Sequence, residues 1–379
     1  MDLWQKVDLL GSAAQWDTCQ GCGTQMHRHA DDLGRWIYPA VRPDGRRVRL
    51  LKVLQSSVCQ NDCRYCAFRA ERDQPRTAFT PDELAHLVDD LYRSGRAEGV
   101  FLSSGVCGGT HRAAERMLAT VELLRRRYRL NCYIHFKLLP GVQDAVVESA
   151  LRWADRVSVN LEAPNAQRLQ ALSGAKDFDG QLLGTLRRAH ALREQLGSRA
   201  SLTTQFVVGP AGETDAELLQ CAAALYDELR LARAYYSAFQ PVASTPLEGH
   251  APTPLWREHR LYQADFLLHT YGFAASELVF DGQGRLPREA DPKLTWARQH
   301  PERFPVEVNR ASRSELLRIP GIGPATADLI IERRRFGRLR DLRHLGLNSL
   351  GEHRAAPYVL LEGRRPAHQL ELWSAPGRA

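Results

Sequence analysis

Between about residue 48 and residue 240, short β-prone apolar runs alternate with longer stretches whose apolar positions recur every three or four residues. The short runs, 49–55, 99–104, 132–138, 156–162, 202–208 and 233–240, read as strands. The longer ones, 81–95, 113–128, 142–153, 179–196 and 215–231, read as amphipathic helices. In the first of these, Leu84, Leu87, Val88 and Leu91 share one face and Thr80 is placed to cap the N-terminus. Six strand–helix alternations imply an α/β domain of parallel βαβ units. Periodicity leaves open whether they curl into a barrel or lie as a doubly wound sheet. A polar, proline-containing stretch follows (241–254), then a helix at 256–271 and a looser, proline-rich segment at 281–305 that reads as a linker. A compact helical segment begins near Val306. The expected organisation is thus an N-terminal extension (1–47), a βα domain (48–245), a helical extension with linker (246–305) and a small all-α domain (306–379).

A length of 379 residues fits two or three domains at roughly 100–200 residues each. No apolar run approaches the ~18 residues a membrane span needs, and the N-terminus shows no secretory pattern. The expectation is a cytoplasmic protein without a membrane partner. Charge changes the picture more. Of the net +7, residues 306–379 carry +5, from 13 Arg and no Lys against 8 acidic residues. A polyanion is the natural partner of that segment.

Eight cysteines are too few for a disulfide framework in a chain this long. In a reducing compartment, clustered thiols more often bind metal or do chemistry. The tightest cluster is Cys59-Gln60-Asn61-Asp62-Cys63-Arg64-Tyr65-Cys66, directly after the first strand. Three thiolates on one loop can hold three irons of a cubane cluster, which leaves the fourth iron open to a small molecule. A structural zinc site would want a fourth ligand close by, and Ala67-Phe68-Arg69-Ala70 offers none.

The C-x3-C-x2-C spacing, with Tyr65 before the last cysteine, resembles the signature of the radical S-adenosylmethionine (SAM) superfamily. The resemblance covers roughly residues 49–240. It implies a [4Fe-4S] cluster on Cys59, Cys63 and Cys66, and SAM chelated to the open iron. It further implies one-electron cleavage of SAM to methionine and a 5′-deoxyadenosyl radical, an electron donor such as flavodoxin or ferredoxin, and a partial (β/α)6 barrel. Matched by position, the SAM-binding elements would be Tyr65, Ser103-Ser104-Gly105 after the second strand, Ser158, Asn160 and Glu162 on the fourth, and Gly209 after the fifth. The usual Gly-Gly-Glu at the second strand is absent, so Ser103, Ser104 and backbone carbonyls would receive the SAM ammonium. Strand alternation puts Ser158, Asn160 and Glu162 on one face, in a wet cavity or a satisfied polar network. Gly209 would let the chain approach adenine. His135 and Lys137 share a face of the third strand, and Lys137 is one of only five lysines. Both are candidate catalytic residues, a structural ion pair being the alternative. Cys19, Cys22, His27 and His29 could hold a second metal, whereas Cys107, Cys132 and Cys221 read as packing thiols.

The second motif is Ala311-Ser312-Arg313-Ser314-Glu315-Leu316-Leu317-Arg318-Ile319-Pro320-Gly321-Ile322-Gly323-Pro324. Ser312 and Glu315 form a capping box, Pro320–Gly323 a tight turn, and Pro324 opens the next helix. Ala327 and Ile331 should face the first helix with Leu317. The segment resembles the helix-hairpin-helix module of DNA repair and uptake proteins. That implies a phosphate on the backbone amides around Gly321, Ile322 and Gly323, often with a monovalent cation, and further contacts from Arg333, Arg334, Arg335, Arg338 and Arg340. A structural cap or a protein-binding role is the alternative. Together with Asp44-Gly45-Arg46, Leu50-Leu51-Lys52, Phe101-Leu102-Ser103-Ser104-Gly105-Val106 and Tyr235-Tyr236-Ser237-Ala238-Phe239, the two motifs resemble a bacterial radical SAM family assigned to DNA modification or repair. The expected function is radical chemistry on nucleic acid, DNA ahead of RNA. The alternatives are an RNA- or tRNA-modifying enzyme and a DNA-binding protein with a redox or structural cluster.

Overall fold

The computed structural model describes residues 2–14, 36–41 and 45–366. The chain divides into two compact units, Met1–Tyr262 and Gln263–Ala379. Among the described residues no helix is long and apolar enough to cross a membrane.

The first unit is built on a seven-stranded sheet: β1 (Ile37–Val41), β2 (Arg47–Leu54), β3 (Gly99–Ser103), β4 (Tyr133–Lys137), β5 (Arg156–Ser158), β6 (Ser201–Val208) and β7 (Arg233–Ala238). Spatial order follows chain order; β1 is antiparallel to β2 and all other pairs are parallel. A doubly wound sheet reverses its strand order at a switch point. Here the order never reverses, so right-handed crossovers put every intervening helix on the same face. The edges β1 and β7 are not paired, which makes this a partial barrel. The helices are α1 (Leu3–Ala14), α2 (Pro81–Arg93), α3 (Thr110–Glu122), α4 (Asp144–Trp153), α5 (Ala166–Leu172), α6 (Gly184–Leu196), α7 (Asp215–Leu229) and α8 (Leu255–His269).

The expected α2 face is the buried one, Leu84, Leu87, Val88 and Leu91, and Thr80 with Glu83 closes a capping box. Besides helix α1 in the N-terminal extension, two elements were not foreseen. One is the antiparallel β1 in the N-terminal extension, where Trp36 Nε1 donates to Asp8 Oδ1 at 3.2 Å. The other is the short α5, capped by Asn165. β5 is shorter than the expected strand 156–162: regular pairing ends at Ser158, and Glu162, at φ +65, keeps an isolated bridge to Phe206 on β6.

In the second unit the expected linker 281–305 is not one. Asp291 caps α9 (Pro292–Gln299), and Trp296, 1% exposed, packs edge-on against Phe273 and Phe304. Helices α10 (Arg313–Arg318), α11 (Pro324–Arg333) and α12 (Ser349–Ala355) surround a core that includes Val308, Leu316, Ile319, Ile322, Leu345 and Val359. Ala327 faces inward as expected, but its buried partner on α11 is Ile330, with Ile331 half-buried. The unit is helical apart from a parallel pair, β8 (Val306–Glu307) with β9 (Val359–Leu360).

Candidate active site

The C-terminal ends of the parallel strands surround one pocket, where βα folds place their ligands. The loop from β2 to α2 carries Cys59, Cys63 and Cys66 into it. Both ends of that loop are zipped shut. Phe79 N donates to the Gln55 carbonyl and Gln55 Nε2 to the Phe79 carbonyl, each at 2.9 Å. Arg76 fills the interior of the loop. Its guanidinium donates to the carbonyls of Ser57, Phe68, Arg69 and Arg72 at 2.6–3.1 Å, satisfying groups that have no secondary structure to pair with. Asp62 ties the loop to residues 173–175, accepting from Ser173 Oγ at 2.5 Å, Gly174 N at 2.8 Å and Ala175 N at 3.3 Å. Burial opposes its charge, but these donors hold its carboxyl below the usual range.

The strand β3 ends against this loop. Gly105 N donates to the Ser56 carbonyl at 2.7 Å, and a Cβ on Gly105 would strike the Val58 carbonyl. The glycine in Ser103-Ser104-Gly105 is there for close approach of two backbones. Amides already point at two of the sulfurs: Val106 N to Cys59 Sγ and Phe68 N to Cys66 Sγ, both 3.4 Å. Burial pushes the Cys63 thiol up and the Cys66 thiol up to about 12, and neighbouring thiols raise both of these further. Thiols so placed ionise only against a compensating cation, so the donor set suits a metal centre. Among the described residues no three His, Cys, Asp or Glu side chains could hold a single metal ion. A cubane does not need that, since each thiolate binds a different iron.

One residue that the sequence reading did not single out stands beside the thiols. Lys176 Nζ lies 2.9 Å from Glu162 Oε1, with both side chains under 10% exposed, and 6.0 Å from the Tyr65 ring centroid. Burial disfavours its ammonium, but Cys63, Glu162 and Cys66 outweigh burial and push its pKa up. The Tyr65 phenol is held protonated by burial and by its hydrogen bond to Glu162. Lys137, Asn160, Ser103 and Ser104 also line the pocket, and Val159, Val207, Leu138 and Leu182 supply apolar wall.

Three expected site residues do not line the pocket. His135 and Ser158 share the inward face, with His135 one layer deeper. Lys137 pairs with Ser158 in the sheet, and His135 is two residues, about 6.6 Å, nearer the strand start. His135 Nε2 bonds Ser158 Oγ at 2.9 Å and its ring packs edge-on against Phe101. Burial, then Arg156, Lys52 and Lys137, drive its pKa well down, so the imidazole is neutral. Gly209 answers to packing: at φ +116, a Cβ would overlap Thr253. Cys132 is buried and Cys107 and Cys221 are half-buried. Cys19, Cys22, His27 and His29 lie outside the described residues.

In the second unit, Ser312 and Glu315 close the expected capping box on α10. Gly321 turns the chain at φ +85, and a Cβ there would meet the Gly351 carbonyl at 2.7 Å. Ile322 is buried, so only its backbone can face a ligand. Helix α11 starts at Pro324 with no side-chain cap, which leaves its first-turn amides for an anion. The arginines divide. Arg334 donates to the carbonyls of Val308 and Ala311 and holds the fold. Arg333 donates to the His344 carbonyl. Arg338 and Arg340 pair with Glu362 at the surface, and Arg335 is exposed.

The radical SAM superfamily profile matches residues 53–225. That part of the chain is a radical SAM domain. The helix-hairpin-helix profile matches residues 306–332. Members of the superfamily are enzymes that use a [4Fe-4S] cluster and SAM. No curated protein matches the chain. Among solved structures it is similar to methylornithine synthase (17% identity, TM-score 0.47), the match covering 57% of this chain and 60% of that one. It is also similar to the FeFe-hydrogenase maturase HydG of Carboxydothermus hydrogenoformans (13%, TM-score 0.47; 57% and 50%). A third is the radical SAM methyltransferase TsrM of Kitasatospora setae (14%, TM-score 0.41; 52% and 37%). The chain therefore spans between about a third and three fifths of these proteins' length.

Proposed function

We propose that this chain is a radical SAM enzyme whose substrate is nucleic acid, DNA ahead of RNA, in a modification or repair reaction. The radical SAM domain and a helix-hairpin-helix motif in one chain, the latter within a segment carrying most of the net charge, is the observation that carries this reading. Cys59, Cys63 and Cys66 hold the cluster. When bound, cluster and SAM supply a 5′-deoxyadenosyl radical able to take a hydrogen atom from an unactivated carbon. The chain's own residues orient SAM. Lys176 and Lys137 offer ammonium groups to its carboxylate, while Ser103, Ser104, Asn160 and Glu162 offer acceptors to its ammonium and ribose hydroxyls. The apolar wall keeps water from the reacting centre. The hairpin amides and Arg335 hold the phosphate backbone, which positions the polymer without reading its sequence. A one-electron donor of flavodoxin or ferredoxin type completes the cycle.

Anaerobic reconstitution tests the cluster. The protein should bind about four irons, and Cys59→Ala, Cys63→Ala and Cys66→Ala should each abolish SAM cleavage to 5′-deoxyadenosine. Undiminished cleavage in any one of them would sink the assignment. Cleavage by the intact protein should be stimulated by duplex DNA; stimulation by tRNA alone would move the substrate to RNA.

A further inference from the structure

The second unit contains a buried lysine that neither motif uses. Lys293 is the second residue of α9, whose N-terminus Asp291 caps through the amides of Lys293 and Leu294. Its side chain runs into the interior, and the residue is only 7% exposed. The ammonium ends in the hairpin turn, with Nζ 2.5 Å from the carbonyl oxygen of Ile322. It also stands 4.7 Å from the centroid of the Tyr271 ring. That ring lies close to the turn as well, since a Cβ on Gly323 would meet Tyr271 Oη at 3.3 Å.

This is a costly arrangement if its purpose is only packing. A buried ammonium needs compensation, and a hydrocarbon side chain would fill the same space without that need. The one carboxylate that favours its charge, Asp291, is paired with Arg354. The lysine is instead bound to the one peptide carbonyl that lies between the two hairpin glycines. Helix α11 begins two residues later, and its amides have no side-chain cap. A positive charge on the Ile322 carbonyl polarises that peptide and adds to the positive end of the α11 dipole.

We propose that the Lys293 ammonium is the built-in cation of this hairpin: held on the Ile322 carbonyl, it fixes the turn and supplies positive charge behind the amides that take a nucleic-acid phosphate, so that no inorganic monovalent ion is required. The inference rests on the reading of the hairpin as a phosphate-binding element. It carries a pH dependence. Burial lowers the lysine to about 7; Asp291 opposes this, while Arg354 and Arg318 lower it further. The groups around it are Asp291 on its own helix, Tyr271 after α8, Arg318 on α10 and Arg354 on α12. The amine is charged below pH 7 and neutral above, so phosphate affinity should fall as pH rises through that value.

The test is equilibrium binding of a duplex oligonucleotide to the full chain at pH 6 and pH 8.5. Each pH is run in potassium chloride and in tetramethylammonium chloride at equal ionic strength. Wild-type affinity should fall about fivefold or more with pH, the scale of one nearby charge after screening, and should be the same in both salts. Lys293→Arg, which cannot deprotonate, should bind well at both pH values; a pH step arising from His344 or His353 would persist in it. Lys293→Met should bind weakly in tetramethylammonium at both pH values and recover in potassium, the inorganic ion taking the vacated place. The proposal is overturned if wild-type binding is flat with pH, if it is lost in tetramethylammonium, or if Lys293→Met matches wild type in both salts. The wild-type comparisons stand even if a variant does not fold. Binding unaffected by Gly323→Val would overturn the phosphate-binding reading itself, and this inference with it.

Discussion

At the scale of single residues, the cysteine triad was legible because its chemistry is local: three thiols in eight positions, on one loop. Lys176 was not, because it lies 110 positions beyond Cys66 and is delivered by contacts of Asp62 with Ser173, Gly174 and Ala175. Its rarity was the available signal, since lysine is the basic residue that a chain of 46 arginines reserves for few places. The Lys176–Glu162 pair makes a sharp prediction. Lys176→Met strands a buried carboxylate and should destabilise the protein by about 3–5 kcal/mol. Adding Glu162→Gln should restore most of the stability, by chemical denaturation, yet leave SAM binding to the reconstituted protein impaired. Restored SAM binding would make the pair structural only. Lys293 predicts a linkage of definite sign. Its pKa is about 7 in the folded state against 10.5 for the exposed group, so the unfolded chain binds more protons between those values. Stability relative to Lys293→Met should therefore rise with pH across that window, by about 1.4 kcal/mol per unit. DNA affinity should move the opposite way.

At the scale of elements, six strands and their helices were legible because apolar period and length agree, as in α2, where the expected face is the buried one. The failures have physical causes. The run 156–162 keeps its strand-like alternation beyond Ser158 because Val159 and Leu161 stay buried and Glu162 still bridges Phe206, although the regular ladder has ended. The segment 281–305 looked like a linker for its prolines, yet Asp291-Pro292 is a cap followed by the one helical position that favours proline. A long-range clasp, invisible to periodicity, closes the first unit. Arg257 on α8 donates to Asp215 at 2.6 Å and to the Glu213 carbonyl at 2.9 Å, and both acidic side chains are fully buried. Arg257→Met leaves two carboxylates buried without this partner, and should cost roughly 3–5 kcal/mol in urea denaturation. A loss below about 1 kcal/mol, the scale of an exposed pair, would show that the clasp is peripheral.

At the scale of the molecule, the chain joins a radical SAM unit to a unit that carries a helix-hairpin-helix motif, the proposed phosphate-binding element. The second unit starts at Gln263, so cutting at Val306 would separate Phe304 from Tyr358 and Lys293 from the Ile322 carbonyl. Point changes in the full chain are the proper probe. Arg335→Ala, at an exposed position, should lower the log–log salt slope of DNA binding by about 0.9 with little change in stability. Arg334→Ala should unfold the unit more readily, because that guanidinium holds two carbonyls. In the proposed function, a radical made in the first unit acts on polymer held by the second. The direct measurement is anaerobic turnover of the reconstituted full chain with unlabelled SAM and DNA isolated from cells grown in heavy water. Deuterium should appear in the 5′-deoxyadenosine formed, and be lost together with DNA binding in Gly323→Val. Abundant 5′-deoxyadenosine that carries no deuterium from DNA would contradict it.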